Sequence, residues 1–157
     1  MVLCIFSKLS ENNDMKTNCP LCASDGGELI WNNEEIRVVL VDEPELPGFC
    51  RVVWNDHIAE MSQLTIDQRS RLWHVVMLVE KVILEVMQPH KMNLAALGNM
   101  VPHIHWHVIP RYPEDIFFPG SAWSEPQRES NTVHLKQQAS KLPKLINRLQ
   151  EVLGPSL

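Results

Sequence analysis

Short runs of β-branched and aromatic residues in the first third of the chain predict three β-strands. The runs cover residues 29–31, 36–41 and 49–54, and short polar or proline-containing segments separate them. Asn32 and Asn33 follow the first run and indicate a tight turn, because asparagine tolerates the left-handed backbone that such turns use. Parallel strands require a longer crossover than these links provide, so the pattern favours an antiparallel meander.

Apolar residues at spacings of three and four predict a long helix in the middle of the chain. Thr65 followed by Gln68 resembles a capping box at its start, and Pro89 marks its end. The core-facing positions are Leu72, Val76, Val79, Ile83 and Val86. A second apolar stripe predicts that the C-terminal tail or a partner subunit also covers the helix, and it consists of Trp73, Met77 and Leu84.

The second half of the chain predicts two more strands and a helical tail. Residues 93–97 and 103–110 have strand-like composition, and a helical pattern follows within residues 113–157. Pro143 is expected to kink this helix or to start its second half. Residues 1–16 lack a consistent periodicity and are expected to form an N-terminal arm.

Together these elements predict one α+β domain over residues 1–157, with a five-stranded antiparallel sheet, one long helix and a C-terminal helix. The 157 residues are 45% hydrophobic and 21% charged, and a chain of this size buries roughly 70% of its unfolded surface without needing metal or disulfides. Lys and Arg number 14 against 19 Asp and Glu, a formal charge of -5, which disfavours generic nucleic-acid binding. Neither a signal peptide nor a membrane span is indicated, so we expect a cytoplasmic protein without a membrane partner.

Three histidines alternate with apolar residues in the last predicted strand. His103, His105 and His107 stand in the run His-Ile-His-Trp-His-Val-Ile, and alternation across a strand places their imidazoles on one face with the middle ring flanked on both sides. A neutral imidazole, with an unperturbed pKa of about 6.5, offers a lone pair at physiological pH. The middle ring is therefore suited to attack phosphorus while a neighbouring ring protonates the leaving group. A metal cluster and a solvated sheet face are the alternative interpretations.

This run resembles the signature of the histidine triad (HIT) family of nucleotide hydrolases and transferases, in which apolar residues separate three histidines. The similarity extends over about residues 19–111, the tail beyond it varies in the family, and the supporting motifs are Pro47-Gly48, Asp56-His57-Ile58 and Gly98-Asn99. The resemblance implies that His105 attacks the α-phosphate of a nucleotide and forms a nucleotidyl-histidine intermediate. It also implies that His107 contacts the phosphate and the leaving group, while His103 supports the site.

The same resemblance implies the remaining substrate contacts and the assembly. Asp42 aligns approximately with an acidic residue that binds ribose hydroxyls in relatives, and Asn99, Met100 and Val101 are further expected substrate contacts just before the triad. The implied substrate is a purine nucleotide conjugate, a phosphoramidate or a phosphoanhydride, from which a nucleoside monophosphate is cleaved. Relatives are typically homodimers, so a continuous ten-stranded sheet is expected.

Three departures from the family pattern bear on activity. Phe49 stands where many relatives have a fourth active-site histidine, and Met100 stands where a hydroxyl often contacts phosphate. The loop over residues 97–100 is shorter than the glycine-rich loop of relatives. The alternative function is therefore a zinc-containing nucleotide-binding interaction protein with little or no turnover. Aprataxin-like removal of AMP from DNA ends is disfavoured by the acidic charge balance.

Two of the 4 cysteines indicate a zinc site. Cys19 and Cys22 have the spacing with which two thiolates grip one ion from a single turn, and two imidazoles would complete a tetrahedral set. The resemblance implies that His57 and His103 are these ligands, so that the zinc is structural and has no open coordination position. In the alternative interpretation, the cysteines pack as small apolar residues.

Overall fold

Five short segments form one antiparallel sheet in the computed structural model, which describes residues 18–154. The strands are β1 (Glu28–Asn32), β2 (Ile36–Leu40), β3 (Cys50–Trp54), β4 (Lys91–Ala95) and β5 (His105–Arg111). Their order across the sheet is β1-β2-β3-β5-β4, and every neighbouring pair is antiparallel. The expected five-stranded sheet is confirmed, whereas the arm expected at residues 1–16 lies outside the described residues.

Asparagine side chains fix the first hairpin. Asn33 Oδ1 accepts hydrogen bonds from the backbone N–H groups of Glu35 at 2.9 Å and Ile36 at 2.8 Å, which is the local bonding that favours asparagine in turns. Asn55, just after β3, donates from Nδ2 to the carbonyl oxygen of Asn33 at 2.9 Å. The turn is therefore tied to β3 as well, and the three strands pair in the predicted meander.

The long helix and the helical tail lie close to the expected positions, and two short elements that the sequence did not predict are also present. The two short elements are α1 (Pro20–Ala23) and a 3-10 turn (Met61–Gln63), and the others are α2 (Ile66–Met87), α3 (Thr132–Ala139) and α4 (Leu142–Leu153). The capping box that precedes α2 is present, since Thr65 Oγ1 accepts from the N–H of Gln68 and Gln68 Oε1 accepts from the N–H of Thr65. Pro143 lies in the first turn of α4, so it starts the second half of the tail helix, where its missing N–H costs nothing.

The hydrophobic core lies between one face of the sheet and the helices α2 and α4. All five predicted core positions of α2 are buried, and they pack with apolar residues that alternate along the strands, among them Val38, Val52 and Val108. The tail helix covers the β1 edge, where Gln150 Nε2 donates to the carbonyl oxygen of Ile30 and Trp31 Nε1 donates to that of Gly154. Among residues 18–154, no helix combines the length and apolarity that a membrane span requires.

The fifth strand begins two residues later than the sequence predicts. His103 precedes β5, and its N–H donates to the carbonyl oxygen of Val101 at 2.8 Å, while the N–H of Ile104 donates to that of Ile58 at 2.7 Å. These local bonds replace the strand ladder at this point. The three histidines therefore do not share one strand face, and only His105 and His107 belong to β5.

Candidate active site

His105 and His107 lie on the sheet face opposite the helical core. Alternation along β5 places Val108 among the core residues and the two imidazoles on the other side. The rings are close and nearly perpendicular, with centroids 4.8 Å apart and an interplanar angle of 79°. Both side chains are buried, so two imidazoles meet in a small, largely dehydrated space.

The tautomer of His105 is fixed by the backbone. Its Nδ1–H donates to the carbonyl oxygen of His103 at 2.6 Å, because a carbonyl oxygen can only accept. Nε2 consequently carries the lone pair. Burial lowers the pKa of His105, and the nearby positive charge of Arg51 lowers it further, which keeps the ring neutral at physiological pH. This is the protonation state that a nitrogen nucleophile needs.

His107 is held neutral more strongly than its neighbour. Burial, followed by the positive charge of His105 when protonated and that of Arg51, lowers the pKa of His107 to about 3. Its Nδ1 is buried and has no hydrogen-bond partner among the described residues. A neutral imidazole still carries one N–H, so His107 can donate a hydrogen bond to an anionic group placed against it.

Aromatic rings enclose His107 on two further sides. The ring of Phe49 lies 5.5 Å from it and the ring of Trp123 lies 4.9 Å from it, centroid to centroid. Phe49 therefore adjoins the triad, at a position where a histidine is expected in relatives. Trp123, at 52% exposed, lies between the buried site and solvent, where it could contact a bound molecule.

The loop before β5 lines a groove next to His105. The groove has a volume of about 410 Å³, and Asn99, His103 and His105 are among its lining residues, which is within the size range of small-molecule sites. Of the other expected contacts, Met100 is 93% exposed, and Val101 packs against the small cluster around Cys19. The structure thus brings Asn99 together with the triad and leaves Met100 in solvent.

Asp42 lies in a different place. It is exposed and lines a groove of about 720 Å³ between the β2–β3 loop and α3, together with Leu135 and Lys136. No triad histidine lines this groove. Within residues 18–154, Asp42 therefore lacks the contact with the triad that the expected ribose-binding role would require.

Four residues form a metal-binding arrangement beside the triad. The ligand atoms of Cys19, Cys22, His57 and His103 all lie within 4.8 Å of one another. The Nδ1 of His103 is 3.5 Å from both sulfurs, and the Nδ1 of His57 is 3.3 Å from Cys22 Sγ. Tetrahedral zinc with bonds of about 2.0–2.3 Å would separate its ligands by roughly 3.3–3.8 Å, so these three separations match zinc and the two thiolates and two imidazoles are a donor set that fits it.

The bonding of His103 agrees with that role. Its Nε2–H donates to the carbonyl oxygen of Trp54 at 2.6 Å, so Nδ1 keeps its lone pair and faces the two sulfurs. Burial lowers the pKa of His103, which favours the neutral form that binds metal. The ring therefore belongs to the metal-binding arrangement, while its backbone carbonyl belongs to the site at His105.

Arg51 is not among the site residues that the sequence predicts, although it pairs with His107 in the register of β3 and β5. The signal that could have identified Arg51 is side-chain alternation along a strand. Arg51 is two residues from Phe49 and therefore lies on the same face of the strand. That signal required knowing that β3 neighbours β5, which the order of the strands along the chain does not reveal. Trp123 carried no periodic signal, since it stands in an irregular loop.

The sequence profile of the HIT domain matches residues 26–114. The chain is 28% identical over 108 residues to an AP-4-A phosphorylase of Mycobacterium tuberculosis, an alignment that covers 65% of this chain and 55% of the relative. It is 27% identical over 113 residues to a bis(5'-nucleosyl)-tetraphosphatase (asymmetrical) of Schizosaccharomyces pombe, covering 68% of this chain and 62% of the relative. The chain thus spans little more than half the length of the first relative and less than two thirds of the second.

Solved structures show the same fold. A histidine triad protein from Bradyrhizobium japonicum superposes with a TM-score of 0.65 at 23% identity, covering 81% of this chain and 90% of that chain. A histidine triad protein from Marinobacter aquaeolei gives a TM-score of 0.62 at 28% identity, covering 80% and 92%. The α+β architecture expected from the sequence is therefore confirmed.

Proposed function

The chain belongs to the HIT domain family, and we propose that it is an enzyme that cleaves nucleotide conjugates at the α-phosphate. The observation that carries the proposal is the 2.6 Å hydrogen bond from His105 Nδ1 to the carbonyl oxygen of His103. It leaves the Nε2 lone pair of a neutral ring available at the edge of a groove of about 410 Å³. His105 would be the nucleophile, His107 the contact for the phosphate and the leaving group, and Asn99 a substrate contact in that groove.

The reaction would proceed in two displacements. Nε2 of His105 attacks the α-phosphorus, the bond from phosphorus to the leaving group breaks, and the leaving group departs with the electron pair. The N–H of His107 would stabilise the phosphate oxygens during this step. Water then attacks the phosphorus of the nucleotidyl-histidine, the bond from phosphorus to Nε2 breaks, the nitrogen of His105 recovers its lone pair, and the proton lost by the water passes to solvent. A nucleoside monophosphate is released.

The names of the relatives support a phosphoanhydride as the conjugate. They describe an AP-4-A phosphorylase and a tetraphosphatase. The leaving group of a phosphoanhydride departs as an anion that needs no proton at neutral pH. We therefore place purine dinucleoside polyphosphates before phosphoramidates as substrates. Asp42 and Met100 lack a supporting contact with the triad, whereas Val101 would act by positioning the loop that carries Asn99.

Zinc is the proposed cofactor and would be structural. Cys19, Cys22, His57 and His103 would hold it, and with four protein ligands it would supply no catalytic position. His103 would link this site to the nucleophile, because its ring is held next to the cysteines while its carbonyl oxygen orients His105. We also propose a cytoplasmic location, where a reducing environment keeps the two thiols available.

Trapping of the intermediate tests the function. The protein is incubated with diadenosine tetraphosphate or with an AMP phosphoramidate, quenched, and analysed by mass spectrometry for an adenylyl group. We expect an adduct on His105 that is absent in His105→Ala and present in His74→Ala, which replaces an exposed histidine on α2. Nucleotide binding with neither adduct nor turnover would contradict the proposal.

That contrary result is the behaviour of the second candidate, a nucleotide-binding interaction protein without turnover. The observation that favours it is Phe49, whose ring occupies the space beside His107. A phenyl ring neither accepts nor donates a strong hydrogen bond. The site consequently has one polar group fewer than four imidazoles would supply.

A further inference from the structure

Three arginines belong to the sheet face that carries His105 and His107. Arg37 on β2, Arg51 on β3 and Arg111 on β5 share it, because register pairs Arg37 with Val53 and Arg51 with His107, and Arg111 is four residues beyond His107 on the same strand. A buried guanidinium is costly unless its N–H groups find acceptors. The partners of these three side chains therefore indicate which of them is committed to the fold.

Arg37 and Arg111 are fully engaged. Each is buried and directs all three of its nitrogens at acceptors. Arg37 donates to Asp25 O, Asn55 Oδ1 and Leu21 O. Arg111 forms a two-pronged ion pair with Asp115, at 2.8 Å and 3.0 Å, and donates to Asn93 Oδ1 and Gly120 O. Both side chains hold loops against the sheet and have little capacity left for a ligand.

Arg51 differs from both. It is half-buried, and its Nη1 donates a hydrogen bond to the carbonyl oxygen of Gly26 at 3.2 Å. Its guanidinium carbon lies 5.6 Å from the centre of the Phe49 ring, and its Nε is buried without an acceptor. No carboxylate of residues 18–154 forms an ion pair with it. Within this part of the chain its charge therefore has no ion-pair partner.

This cation lies beside the two histidines of the candidate active site. Arg51 is the cross-strand partner of His107, and the Phe49 ring that it overlies also contacts His107. Its positive charge lowers the pKa of both His105 and His107, so its field reaches both rings. An anion bound against these rings would therefore lie close to the N–H groups of Arg51 that have no acceptor.

We propose that Arg51 is a substrate-binding residue whose guanidinium binds a phosphate oxygen of the nucleotide held at His105 and His107. The inference rests on the proposed function, because it takes the same site as the place where nucleotide binds. A guanidinium fork matches phosphate geometry and forms charge-assisted hydrogen bonds. Binding of phosphate also supplies the acceptor that the buried Nε lacks. The site therefore selects for the phosphate group itself, independently of the nucleoside.

Calorimetric titration with AMP and with adenosine tests this role. We expect Arg51→Gln to weaken AMP binding by about 10–100-fold, the range for loss of hydrogen bonds to a charged group, and to change adenosine binding less than about twofold. Arg51→Lys should recover part of the AMP affinity, because it restores the charge but not the fork. Arg148→Gln, which makes the same charge change on α4, should leave both affinities unaltered.

Each other outcome overturns the proposal in a recognisable way. Equal AMP affinity in wild type and Arg51→Gln makes Arg51 a structural residue and leaves the proposed function standing. Equal losses for AMP and adenosine make it an organiser of the pocket. If the wild type neither binds AMP nor forms the His105 adduct, the proposed function fails and the role of Arg51 with it. If Arg51→Gln does not fold, as judged by thermal unfolding, the ratio of AMP to adenosine affinity in Arg51→Lys decides, and an unchanged ratio overturns the proposal.

Discussion

His103 serves two parts of the molecule through different atoms. Its carbonyl oxygen accepts the Nδ1–H of His105, and its ring lies between the carbonyl oxygen of Trp54 and the two cysteine sulfurs. The side chain is 1% exposed, so the ring cannot move without moving its neighbours. The orientation of His105, the proposed nucleophile, is therefore coupled to the ring that would hold metal.

The lowered pKa of His107 makes stability depend on pH. In the unfolded chain this imidazole takes up a proton near pH 6.5, whereas in the folded chain its pKa is about 3. The contribution of neutral His107 to the free energy of unfolding is therefore fully present above about pH 6.5 and is lost as the pH falls from there toward 3. Between pH 7.5 and pH 5, this one residue lowers the free energy of unfolding by about 2 kcal/mol.

Urea unfolding of wild type and His107→Gln at pH 7.5 and pH 5 measures this contribution. We expect the difference in unfolding free energy between the two proteins to shift by about 2 kcal/mol in favour of the variant at the lower pH. Comparison at matched pH cancels the acid sensitivity of the other histidines. His74→Ala, at an exposed position, should show no such shift, and an equal pH dependence of wild type and His107→Gln would refute the argument.

At the scale of elements, the sequence predicts features set by local chemistry, and it misses a strand boundary that depends on contacts distant in sequence. The periodicity of α2 and the capping pair Thr65 and Gln68 lie within one helical turn or one stripe, so local chemistry determines them. The start of β5 depends on the contact of Ile104 with Ile58, distant in sequence. Strict alternation therefore assigned His103 to the strand, whereas tertiary bonding directs it to α1.

The short helix α1 depends on its cysteines for attachment to the sheet. Cys19 caps the helix and Cys22 closes its first turn, where the N–H of Cys22 donates to the carbonyl oxygen of Cys19 at 3.0 Å. A four-residue helix has almost no stability of its own. It is held on the sheet by packing on Val53, by the hydrogen bond from Arg37 to the carbonyl oxygen of Leu21 and by the metal-binding arrangement.

Metal content and thermal unfolding test this attachment. We expect about one zinc per wild-type chain and less than about one per four chains in the double variant Cys19→Ser, Cys22→Ser. The melting temperature of the double variant should fall by about 5–15 °C, since each kcal/mol corresponds to about 2–4 °C in a chain of this size. Cys50→Ala alters a buried thiol outside the cluster and should retain the metal. Wild-type protein purified without chelator that holds no zinc would exclude the site.

At the scale of the whole molecule, we propose that residues 1–157 form one domain, because the tail helix α4 packs on both α2 and β1. Helix α4 packs on the β1 edge of its sheet. Within residues 18–154, β4 pairs with β5 on one side and has no strand on the other. An uncovered edge strand is a template for pairing with another chain.

Apolar side chains near the same edge indicate how a second copy would bind. Trp73 and Leu84 on α2 are 43% and 46% exposed, and the ring of Trp73 meets that of Trp106 on β5 with centroids 5.2 Å apart. The tail helix leaves Trp73 and Leu84 exposed, so of the two expected covers a partner subunit is the one that would bury these two side chains. Pairing of two β4 strands about a twofold axis would join the sheets into ten strands.

Light scattering coupled to size exclusion tests the assembly. We expect a mass about twice the 18.1 kDa of one chain, and we expect Leu84→Glu to produce monomer, because a buried unpaired carboxylate in a twofold interface is present twice. Val133→Glu places the same charge on an exposed apolar residue of α3 and should remain dimeric. A monomeric wild type at micromolar concentration would remove the ten-stranded sheet from the proposal, while the site at His105, built from one chain, would be unaffected.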